Sequence, residues 1–150
     1  MKGDFVLNKK CKKESCDNSF SPLVIDIDQA AKSNPYYRVE LWTGKYMQLT
    51  VMSIPVCGDI GLEMHPELDQ FIRIEYGCAL VQMGSSSDSL NYSQRVNDNF
   101  AIIIPAGTWH NIINTGNRPL KLYSLYAPPK HPIGTVHETK QEAEEAEKNY

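Results

Sequence analysis

At 150 residues, 41% hydrophobic and 22% charged, the chain is long enough to close one core and too short for two domains. Its 15 Lys and Arg against 18 Asp and Glu give a net charge of -3, without the positive excess that holds nucleic-acid phosphates. No run of about 20 apolar residues exists to span a membrane, and residues 1–13 lack the apolar block and cleavage site of a secretory signal, so a cytoplasmic protein is expected.

Residues 1–20 read as a polar, basic arm, with Lys9, Lys10, Lys12 and Lys13 around Cys11. The four cysteines, Cys11, Cys16, Cys57 and Cys78, are too few for a disulfide scaffold and fit reduced thiols. A regulatory disulfide or half a metal site stays open for Cys11 and Cys16. Residues 23–33 predict a strand and then a short helical turn, ended at Asn34-Pro35 because the residue before a proline is pushed out of the helical region. From Tyr36 onward the pattern is that of short strands: residues 36–42, 46–54, 70–75, 79–83, 91–96, 100–104, 109–114 and 120–127, each bounded by turn residues. Regular short strands predict an all-β sandwich or barrel over 21–137. Residues 138–150 carry strong helix formers with almost no apolar face, and predict a short surface helix.

Four potential metal ligands stand out: Glu63, His65, Gln70 and His110. Glu63 and His65 are two apart, so on a strand both side chains share one face. Gln70 follows the turn Pro66-Glu67-Leu68-Asp69, with Ile72 and Ile74 on its face and Arg73 and Glu75 on the other. Asp69 suits a turn or an acceptor for a ligand N–H. His110 emerges just after the turn at Pro105-Ala106-Gly107, and imidazole is the commonest metal donor. His131 and His137, in a proline-bounded tail, read as surface residues.

These residues resemble the cupins, small double-stranded β-helix (jelly-roll) barrels that mostly hold one divalent metal. Pro105, Gly107, His110 and Asn114 match the family's second motif in type and spacing, with Asn99 at its leading glycine. In the first motif Gly77 and His65 match, Glu63 stands for a histidine, Gln70 for the glutamate and Cys57 for the leading glycine. The resemblance implies a cupin barrel with an N-terminal arm and a short C-terminal helix, and a metal at Glu63, His65, Gln70 and His110. That set keeps the single negative charge of the usual three histidines and one carboxylate but is richer in oxygen. It therefore favours Mn, Fe(II) or Co, with Zn and Ni accommodated.

The sequence is also similar to small bacterial cupins of the mannose-6-phosphate isomerase-like type, notably at residues 69–73 and 105–111. That likeness implies a metal-dependent aldose–ketose isomerase acting on a small molecule. Such a reaction needs an inward-facing cation for the phosphate, and Arg38, Lys45 and Arg73 do not read as inward. An Fe(II) oxygenase and a non-catalytic metal or small-ligand binder are the alternatives. The last strand is apolar on both faces, so Leu41, Trp42, Tyr123 and Leu125 are expected to meet a second copy in a homodimer or to lie under the N-terminal arm.

Overall fold

Alternating side-chain faces dictate strands whose two sides meet different surroundings. The computed structural model, which describes residues 19–149, arranges these strands in two antiparallel sheets. In chain order the elements are α1 (Ile27–Ser33), β1 (Arg38–Thr43), β2 (Gln48–Ile54), β3 (Asp69–Tyr76), β4 (Ala79–Gly84), β5 (Tyr92–Val96), β6 (Ala101–Ile104), β7 (Trp109–Asn114), β8 (Leu120–Ala127), β9 (Val136–His137) and α2 (Lys140–Glu147). The larger sheet runs β6-β3-β8-β2-β1-β9 and the smaller β5-β4-β7. This is the all-β architecture that the strand spacing predicts, in the jelly-roll form that the resemblance implies.

The core lies between the sheets: Met52, Ile54, Ile72, Ile74, Leu120 and Leu122 of the larger pack against Ala79, Val81, Val96 and Ile112 of the smaller. Register sets what lines this interior. One row across the larger sheet is Gln48, Tyr126, Gln70 and Ile104; the next is Thr50, Ser124, Ile72 and Ile102. The third is His137, Arg38, Met52, Leu122 and Ile74. The inner wall thus carries polar side chains among aliphatic ones.

The outer face is covered from within the chain. α1 lays Ala31 on Val39 and Val51, with Leu41 and Tyr123 packed around them. Trp42 donates from Nε1 to the Ser21 carbonyl at 2.7 Å. Part of the apolar face expected to meet a partner is therefore occupied by residues 21–33. The arm residues 1–18, with Cys11, Cys16 and the lysine cluster, lie outside the described residues. The strand expected ahead of the helix does not form; Asp26 instead caps α1, its side chain accepting from Gln29 N at 3.1 Å. The C-terminal helix starts at Lys140, two residues after the expected start, because Thr139 is its cap. It is docked rather than free: Ala143 is buried in the core and Lys140 pairs with Asp59. No helix among the described residues is long and apolar enough to cross a membrane.

The turn positions singled out by the motifs share one backbone state. φ is 64° at Cys57, 116° at Gly77, 73° at Asn99 and 82° at Gly107. Cys57 and Asn99 thus hold the left-handed conformation without being glycine, at a cost of about 1–2 kcal/mol each. Asn99 gains a partner there, accepting from Arg73 at 3.0 Å, whereas Cys57 is an exposed free thiol. Asn114 closes the motif structurally: Nδ2 donates to the carbonyls of Ile54, Pro55 and Arg118, and Oδ1 accepts from Gly116 N. Relief of strain at Cys57 exceeds the added chain entropy of glycine, so Cys57→Gly is expected to stabilise the fold by up to about 1 kcal/mol in urea unfolding.

Candidate metal centre

Glu63 and His110 face each other through reciprocal backbone hydrogen bonds, Glu63 N to His110 O at 3.0 Å and His110 N to Glu63 O at 2.9 Å. The segment around Glu63 and His65 is not the strand their spacing predicts; it is a loop joined to β7 by this isolated bridge. The His65 carbonyl accepts from Gly107 N at 2.8 Å, so the turn after Pro105 grips the loop that carries the other donors. Asp69 supports the same turn by accepting from Ala106 N at 2.9 Å.

Three of the four expected ligands converge. Glu63 Oε1 lies 3.2 Å from His110 Nε2 and 3.5 Å from His65 Nε2, and all three donor atoms fall within 4.8 Å of one another. His110 is fully buried and His65 nearly so. His110 Nδ1 sits 2.9 Å from the Thr108 carbonyl, which can only accept, so Nδ1 carries a proton. In the neutral imidazole, Nε2 then presents a lone pair to the Glu63 carboxylate. Two acceptors at that distance need a proton or a cation between them. Burial disfavours charge on Glu63, but the facing rings of His110 and His65 outweigh it and hold the carboxyl well below its usual range. A cation bonded at about 2.0–2.2 Å places neighbouring ligands roughly 3–3.5 Å apart, and the observed separations fit.

Gln70 is buried on the adjoining wall, across β8 from Tyr126, whose ring lies 6.0 Å from that of His65. Its Nε2 donates to Ser124 Oγ at 2.9 Å, and Oε1 is buried with no partner among the described residues. An unpaired acceptor of this kind is costly, and it is the chemistry a cation would satisfy.

Two expectations are corrected here. His131 and His137 are buried, not superficial, at 6% and 9% exposure. Gln48 draws the tail inward: its Oε1 accepts from His131 N at 2.8 Å and its Nε2 donates to His131 O at 2.7 Å. β9 then pairs with β1 and carries His137 inside. Arg38, expected to miss the inner face, is 2% exposed and stands in the inner row opposite Met52. Val39 beside it faces the other way, under α1, and is just as buried, so local alternation does not mark Arg38 as inward.

Comparison with known proteins agrees with this geometry. Residues 50–126 match the Cupin domain family model, and the chain belongs to that family. It is 60% identical over 126 residues to the uncharacterized protein YrkC of Bacillus subtilis (strain 168), covering 84% of this chain and 68% of YrkC. The crystal structure of BH2720 from Bacillus halodurans is similar with a TM-score of 0.82 at 60% identity, covering 83% of this chain and 94% of that one. Oxalate decarboxylase from Lactobacillus farciminis is similar with a TM-score of 0.52 at 23% identity, over 58% of this chain and 25% of that one, a likeness of fold alone.

His131 makes a ring contact with Tyr126 at 5.1 Å, and neither ring nitrogen has a hydrogen-bond partner among the described residues. Burial, aided by the charge of Arg38, pushes it down to about 3. A folded-state value below the unfolded one means that the unfolded chain takes up the proton first. This contribution to stability is complete above the unfolded value, near 6.5, and is lost as pH falls towards 3. Between pH 7 and 5 the wild type should lose about 2 kcal/mol from this group. The His131→Asn variant should lack that increment, as read by urea unfolding at both pH values.

Proposed function

We propose that this chain is a metal-dependent cupin enzyme that holds one divalent cation through Glu63, His65, Gln70 and His110 and acts on a small polar molecule. The observation that carries the reading is the meeting of the half-buried Glu63 carboxylate with Nε2 of buried His110, whose proton the Thr108 carbonyl keeps on the other nitrogen. The donor set favours Mn, Fe(II) or Co and accommodates Zn or Ni. Four protein ligands leave open positions, and a bound cation would supply Lewis-acid polarisation of a substrate carbonyl. The exposed free thiols Cys57 and Cys78 fit a reducing, cytoplasmic setting.

For the reaction we propose aldose–ketose isomerisation of the mannose-6-phosphate isomerase-like type. This reading needs an inward cation and an unspent acceptor for the proton that moves between adjacent carbons. Arg38 supports the first, and the unprotonated, unpartnered His131 supports the second. A second reading, an Fe(II) oxygenase, is favoured by one specific observation, the two-histidine, one-carboxylate set Glu63, His65 and His110. A homodimer is proposed through the half-buried Leu41, Trp42, Tyr123 and Leu125, which residues 21–33 cover only in part.

Elemental analysis and metal titration test the centre. Glu63→Gln and His110→Ala should each weaken metal binding by on the order of 100-fold, and Gln70→Leu by about 10-fold. Unchanged metal content in the first two would overturn the assignment. The reaction is tested by incubating the metal-loaded protein with mannose 6-phosphate in deuterated water. Fructose 6-phosphate carrying deuterium next to the carbonyl is expected; a fully loaded protein giving no exchange and no product sinks the isomerase. Oxygen uptake by the Fe(II) form would move the assignment to the second reading.

A further inference from the structure

Arg38, on the inner face of the larger sheet, is a buried charge that the metal donors do not explain. Its guanidinium is always ionised, and a buried cation without a counter-ion is expensive. Nε and Nη1 have no hydrogen-bond partner among the described residues. The carboxylate facing it is Glu147 Oε1 of α2, 3.5 Å from Nη1, and that side chain remains 39% exposed. This pair is too long for a charge-assisted hydrogen bond and too wet to neutralise a buried charge. On the inner side Arg38 stands across from His137, and its field also reaches His131 and Tyr126. The His131 ring nitrogens and His137 Nδ1 are likewise buried and unpartnered among the described residues. A guanidinium and two imidazoles with unpartnered nitrogens, all facing one interior, supply more donors than the acceptors beside them can satisfy.

Charge adds to this. Glu63 and a divalent cation leave the metal end with one positive charge, and Arg38 contributes a second. The filled interior is therefore cationic, and a neutral ligand would leave it so.

We propose that this interior takes a small anion whose carboxylate or phosphate oxygens pair with Arg38, displacing Glu147 and accepting hydrogen bonds from His131 and His137. This rests on the reading of the interior as a ligand site, and it names the substrate class: an oxyanion at one end and a metal-facing oxygen at the other. Arg presents its N–H groups as a planar fork that matches both kinds of oxyanion, so both belong to the proposal.

The test is calorimetric titration of the metal-free full chain with inorganic phosphate, with acetate, and with glycerol as a neutral control, at fixed ionic strength. Wild type should bind at least one of the two anions and not glycerol. Arg38→Met should weaken that binding by about 10-fold or more, in line with loss of a charged hydrogen-bond pair. Glu147→Gln, on an exposed side chain whose loss leaves the core intact, should strengthen it about 3-fold by removing the competing carboxylate. Tighter phosphate assigns a phosphoryl ligand, and tighter acetate a carboxylate. No anion binding by wild type overturns the proposal. So does equal binding by a folded Arg38→Met or, should that variant not fold, unchanged binding by Glu147→Gln. Metal titration of Arg38→Met separates the two readings: metal affinity should stay at the wild-type value. Anion binding that persists in a chain unable to take metal would sink the metal centre and leave the anion site standing.

Discussion

A carboxylate and an imidazole lone pair held against each other are the constraint around which this barrel is organised. Glu63 and His110 cannot drift apart, because their backbones are bonded to each other in both directions. Nor can His110 turn its proton inward, because Thr108 holds it on the far nitrogen. The turn through Gly107 fixes His65 to the same frame. Such an arrangement is unfavourable in an empty interior, and rigid framing of this kind keeps ligands in place before anything binds.

Much of this was legible in the residues. Pro105, Gly107 and His110 announced a turn delivering a histidine, and the left-handed backbone at Asn99 and Cys57 explains how non-glycines stand at glycine positions. Alternation placed Gln70, Ile72 and Ile74 on one buried face, as found. The convergence of Glu63 and His65 came about by another route, since a loop bridged to β7 does what a strand was expected to do.

What stayed illegible has physical reasons. In β1 both faces are covered, so Arg38 and Val39 are equally buried and alternation gives no contrast. His131 is inward only because Gln48, far away in the chain, binds both its backbone groups; no local pattern encodes that. The strand expected before α1 failed because Asp26 satisfied a helix end instead, a competition that propensity alone does not rank.

The tail that follows β8 has a consequence for how likeness within the family is read. The family match ends at residue 126, and His131, His137 and Glu147 all come after it. The Glu63, His65 and His110 cluster thus lies inside the matched segment, while the tail that carries His131, His137 and Glu147 lies beyond it. A likeness scored on residues 50–126 alone is therefore blind to those three side chains.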